Sequence, residues 1–128
     1  MDTIKTIELV TTGQDTGHPY SGNFEVKTVL SRRDRFAADQ KRREVLGPGG
    51  DSALPTLQGE AFMIGQLWVR VVKAPDWWSN ANCGLDLKDE NVTPELFELA
   101  LKAESDAVKE LQSKAKSSLE KLSENKLP

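Results

Sequence analysis

The chain has 128 residues, a net charge of −3, 38% hydrophobic and 29% charged residues, one cysteine and one histidine. That length supports one domain with a single modest core. A lone cysteine excludes an internal disulfide, and the two Cys/His residues fall short of the roughly four ligands of a structural zinc site.

Cys83 therefore fits a reducing compartment. The opening MDTIKTIELV lacks the basic start and apolar run of a signal peptide. No apolar run approaches the roughly 20 residues that span a bilayer. The expectation is a soluble intracellular protein with no membrane segment and no cofactor.

TIKTIELV (Thr3–Val10) and NFEVKTVL (Asn23–Leu30) are rich in β-formers, and the second puts Phe24, Val26, Thr28 and Leu30 on one face. Both predict strands. TTGQDTGHPYSG between them predicts a long polar hairpin loop. Ser31 then opens a helix over 31–46, with Asp34 placed to favour its positive end and Gly47 to stop it. Gly50–Thr56 is a linker. In 57–74 the residues Leu57, Ala61, Ile64, Leu67, Trp68, Val71 and Val72 follow helical spacing until Pro75, which predicts a central apolar helix.

Residues 75–92 form a tryptophan loop. A long helix over 93–124 follows, with Thr93 as N-cap and Pro94 at its first position. Leu101, Val108, Ala115 and Leu122 repeat every seven residues in it, but Glu104 and Ser118 occupy the other seam positions, too weak a pattern for a self-sufficient coiled coil. The fold class is α+β, a single domain over 1–128. An N-terminal β-hairpin is followed by three helices, the last long and partly exposed. The expected core includes Leu67, Trp68, Val71, Phe97 and Leu101.

Catalytic and metal chemistry is poorly served. His18 lies in a Gly/Pro-rich loop and Cys83 in another segment, so no nucleophile–base pair is indicated. Neither Asp76, Asn80 and Asn82 nor Asp86, Asp89 and Glu90 meets the register of a calcium loop. Asp89 and Glu90 instead suit the positive end of the last helix. GPGG lacks the lysine and Ser/Thr of a phosphate loop. The expectation is a protein that is not an enzyme, with no catalytic and no metal residues.

Residues 31–46 carry 6 positive and 3 negative groups, the one basic block of the chain. Arg32, Arg35, Arg42 and Arg43 are placed to share a broad helix face, but interleaved acids such as Asp39 weigh against nucleic acid. A planar guanidinium also suits acidic protein surfaces. Arg32, Arg35, Arg42, Arg43, Trp77 and Trp78 are the candidate partner-binding residues, because arginine and tryptophan are enriched among interface hot spots. For the tryptophan pair, folding back as a core plug is the stronger reading and an interface anchor the sharper one.

FEVKTVLSRRDRFAADQKRREVLG, a helix ending VRVVKAPDWW, then GLDLKDENV and a terminal helix resemble small proteins of tailed-bacteriophage morphogenesis clusters. The resemblance spans about Phe24 to Leu101 and rests on the Arg-rich helix and the AP-x-WW … GL-x-L-x-D-x-NV pattern. It implies a non-enzymatic role in virion assembly through protein–protein contact: a tail assembly chaperone first, a minor structural protein of head, neck or tail second. A nucleic-acid-binding accessory protein is the third reading. The implied partners are other phage proteins, such as the tape-measure, tail or head components, with a homo-oligomer left open. The implied location is the host bacterial cytoplasm during assembly, with the virion as the alternative. No site residue is carried over from the resemblance.

Overall fold

The structure, a computed structural model, describes residues 3–79 and 82–125. Asn80 and Ala81, in the expected tryptophan loop, and Lys126 to Pro128 lie outside the described residues. The architecture is α+β, with a three-stranded antiparallel sheet and three helices. In chain order the elements are β1 (Ile4–Thr12), β2 (Pro19–Lys27), α1 (Arg32–Leu46), α2 (Pro55–Arg70), β3 (Val71–Lys73) and α3 (Val92–Asn125). The sheet order is β1-β2-β3.

The hairpin register pairs Ile7 with Phe24, Leu9 with Gly22 and Thr11 with Tyr20. Side chains alternate along a strand, so these residues share one face and Thr6, Glu8, Asn23 and Glu25 the other. Leu9, Tyr20, Phe24 and Val26 are buried, and with Ile64, Leu67, Val92 and Leu96 they make the core.

Strand β2 begins at Pro19 rather than Asn23, and the connecting loop shrinks to the residues between Thr12 and Pro19. Pro19 heads the strand, a position where its missing N–H is tolerated. Inside the loop, the Gly13 N–H donates to the His18 carbonyl at 2.7 Å. The strand also ends at Lys27. Thr28, just beyond it, stays buried because its N–H and its hydroxyl both donate to the Thr3 carbonyl, each at 2.6 Å.

Helix α1 carries the expected stop and start. The Asp34 N–H donates to the Ser31 hydroxyl and the Ser31 N–H to the Asp34 carboxylate, both at 3.1 Å, a reciprocal capping box. Gly47, at φ 74°, ends the helix with its N–H on the Arg43 carbonyl. Helix α3 starts at Val92, one residue ahead of the expected Thr93 cap. Asn91 stands before it, its carbonyl accepting from Glu95 N–H at 3.2 Å.

The central helix starts at Pro55, inside the expected linker, and stops at Arg70, not Ala74. Val71 pairs with Val26 and Lys73 with Glu25 in a third strand. Adjacent β-branched valines satisfy a helical stripe and a short strand equally well, so spacing alone does not separate the two. The buried Arg70 guanidinium fixes the junction. It donates to the Lys27 and Thr28 carbonyls at 3.3 and 3.0 Å and to Glu104 at 3.2 Å.

Two expected core residues are not core. Trp68 is 42% exposed, because its side of α2 meets α1 rather than the sheet, and Lys41 lies over the ring at 5.4 Å. Leu101 is 38% exposed: the line that α3 buries runs through Leu96, Ala100 and Ala107, and Leu101 is turned about 100° from Ala100. Leu67 is fully buried, while Val71 and Phe97 are partly buried at the margin of the core.

Candidate functional site

The Arg-rich helix is anchored by its small residues. Ala38 is buried against α2, where Gly65 is so close that a Cβ on it would stand 2.3 Å from the Ala38 carbonyl oxygen. The opposite side of α1, about 200° around from Ala38, carries Phe36. Phe36 is 75% exposed, the most exposed large apolar side chain among the described residues. Arg32, Arg35 and Asp39 line a shallow recess with it, and Arg33 is exposed nearby in sequence.

The four candidate arginines do not act together. Arg42 lies on the inner side, its side chain only 20% accessible, and its Nε donates to Asp39 at 3.0 Å. Arg43 is exposed and reaches the other Asp39 oxygen at 2.9 Å. The Arg42 hydrogen bond, with the charges of both arginines, holds the Asp39 carboxyl below its ordinary range. Asp39 is thus committed to these two residues. Arg32 and Arg35 are exposed beside Phe36, and among the described residues neither makes an ion pair. Sequence reasoning missed Phe36 as a site residue. Its signal was a large apolar residue two positions from the buried Ala38, on the charged side of the helix.

The tryptophans are elsewhere and turned inward. Trp78 is 3% exposed and meets Phe24 edge-to-face at 5.7 Å. Gly84, at φ 76°, lets the chain pass its ring: a Cβ there would lie 2.5 Å from the indole. Trp77 is half-buried over Tyr20 and Phe24, and its Nε1–H donates to the Ser21 carbonyl at 3.0 Å. Trp78 is therefore unavailable as an interface anchor, and Trp77 is committed to the sheet. Burial of large rings over a thin three-stranded sheet outweighs their use at the surface.

Asp89 proves to be a buried clamp. Its carboxylate accepts from the Asp15 and Thr16 N–H groups at 2.8 Å, from the Thr16 hydroxyl at 2.6 Å and from Tyr20 at 2.7 Å. These donors, the Thr16 hydroxyl foremost, hold its pKa far below the usual carboxylate range. The approach is tight enough to require Gly13, where a Cβ would sit 2.2 Å from the carboxylate.

His18 is exposed against Tyr20, and Cys83 is buried, with its thiol pushed up to about 11 by burial. Among the described residues no group of three or more His, Cys, Asp and Glu is placed to hold a metal. Nor is any helix among them long and apolar enough to cross a membrane. The α1 face presents planar guanidinium forks, which suit carboxylates, beside an apolar ring. No family model, curated protein or solved structure gives a significant match to the chain.

Proposed function

We propose that the chain is a non-enzymatic assembly factor that acts by protein–protein contact, with the outer face of α1 as its docking surface. The observation that carries this reading is Phe36, left 75% exposed beside Arg32 and Arg35. Burying such a ring stabilises by roughly 1.5–3 kcal/mol, and the flanking guanidiniums give bidentate partners to carboxylates. The fitting partner is an acidic protein surface with an apolar centre. The resemblance over Phe24 to Leu101 supports tailed-phage assembly as the setting of this proposal, with a tail assembly chaperone as the first reading. Asp39 within the same face weighs against a polyanion such as nucleic acid.

The test is a photo-reactive phenylalanine analogue at position 36, made in cells that assemble the particle. One dominant cross-linked protein is expected, lost when Arg32 and Arg35 are reversed to glutamate. Absence of the chain from purified virions is expected of a chaperone. A cross-link to DNA, or a pattern equal to that from position 23 on the exposed sheet face, would sink the reading.

A further inference from the structure

Helix α3 runs past the domain it helps to build. Leu96, Ala100 and Ala107 are buried, but every residue from Gln112 to Ser123 is exposed. From Gln112 the helix extends to Asn125, which at 1.5 Å per residue is a reach of roughly 20 Å. An unsupported helix of that length is marginal in water, and the adjacent Ser117 and Ser118 weaken it further.

A second line of side chains, one step around from the buried one, joins the two halves. Phe97, Leu101, Val108, Leu111, Ala115 and Leu122 follow the spacing of a heptad seam. The line starts where Phe97 meets Phe62 of α2 edge-to-face, ring centroids 6.1 Å apart. It continues through Leu101 to Leu122, which is 57% exposed. Glu104 falls on this seam, and Arg70 neutralises it from within the chain at 3.2 Å.

We infer that this seam seats an acidic amphipathic helix of a different protein, laid along α3 from Phe62 to Leu122. Charge selects the occupant. On the projecting half the seam is flanked by Lys114 and Lys121 on one side and by Gln112 and Leu119 on the other, with no acid among them. Lys114 is held by Glu110 at 3.3 Å, but both are well exposed, and such pairs exchange at little cost. A second copy fits poorly. Antiparallel, the lysine flanks oppose each other; parallel, Lys114 faces Leu119 of its mate. A helix with leucine on its seam and glutamate beside it gives both lysines partners and covers Leu119 and Leu122. None of these residues belongs to the α1 face, so the two surfaces stand or fall separately.

The probe is a synthetic amphipathic peptide of about four heptads, leucine on the seam and glutamate flanking it. It is compared with a lysine-flanked counterpart, each titrated into the full chain. The glutamate peptide is expected to bind, with helix signal above the sum of the parts and an affinity that falls with salt. Leu119→Ser with Leu122→Ser should weaken it at least ten-fold. Both leucines are exposed, so the near-ultraviolet signal of Trp77 and Trp78, packed against Phe24, should stay unchanged in that variant. No binding at millimolar peptide overturns the inference, as does equal binding of the two peptides or unchanged affinity in the variant. Self-association of the free chain that the same substitutions abolish also overturns it, in favour of a second copy.

Discussion

Trp78 carries two opposing terms. Its ring fills the space over Phe24, yet among the described residues its Nε1–H is a buried donor without a partner. Trp78→Ala should destabilise by about 3–5 kcal/mol, as large buried rings do. Trp78→Phe loses volume but also removes a donor whose burial costs about 1–3 kcal/mol, so its net cost should be well under half that of alanine. Urea unfolding of the two variants decides it; equal costs would mean that the indole N–H is satisfied.

Asp89 makes a pH prediction. Its folded pKa is depressed below the ordinary aspartate value of about 3.9. The stabilisation is therefore present above about 3.9 and is lost as pH falls toward the folded value. Stability should hold from neutral pH down to about 5 and then decline. The decline should be shallower in Asp89→Asn, which keeps the shape but does not titrate. Asp89→Ala should instead speed amide exchange at Asp15 and Thr16. An unchanged acid limb in Asp89→Asn would remove the clamp from the account.

At the scale of elements, the α1–α2 contact depends on one missing side chain. Gly65→Ala gains helix propensity of about 1 kcal/mol. However, its Cβ would stand 2.3 Å from a backbone oxygen of α1, and overpacking of this kind costs about 1–3 kcal/mol. Backbone cannot swing aside, so the clash wins and the variant should be less stable. Gly59, in the same helix, has nothing within 4 Å of its would-be Cβ, so Gly59→Ala should gain up to about 1 kcal/mol. Thermal unfolding of the pair gives opposite signs, and equal signs would contradict the close approach.

The same elements mark what was legible in the sequence. Strand alternation in the hairpin, the Ser31 capping box and Gly47 stop of α1, and the long last helix all rest on local rules. The end of α2 was not legible, because Val71 and Val72 satisfy two periodicities and the choice is made by Arg70 reaching across to the Lys27 and Thr28 carbonyls. Trp68 and Leu101 were misplaced because hydrophobicity marks an apolar arc but not which part of it the neighbours cover. In α3 it was the small Ala100 and Ala107 that marked the buried line. At the candidate site the arginines were visible as a cluster. Their division between Asp39 and solvent depends on helix packing, and the role of Phe36 depends on what lies opposite it.

At the scale of the whole molecule, large aromatic rings are spent unequally. Tyr20, Phe24, Trp77 and Trp78 stack over the sheet, while Phe36 is left outside on a charged helix. A core this small gains from every ring it can bury, which is why an exposed one beside exposed arginines directs attention to a partner. The outer face of the sheet mixes Glu8, Asn23 and Glu25 with exposed Ile4 and Val10, but its strands carry no arginine beside them. On this account fold and docking surface are separable: the core and the Asp89 clamp hold the domain, and the outside of α1 is free of that duty.

Phe36→Ala tests that separation most directly, with unfolding free energy and partner cross-linking measured on the same preparation. The account predicts a stability change within about 0.5 kcal/mol, as for surface positions. It also predicts loss of the cross-link formed through a probe at the exposed position 40, one turn along the helix, in keeping with a hot-spot cost of at least about 2 kcal/mol. A variant that unfolds more easily by more than about 2 kcal/mol, or that keeps its partner, would contradict it.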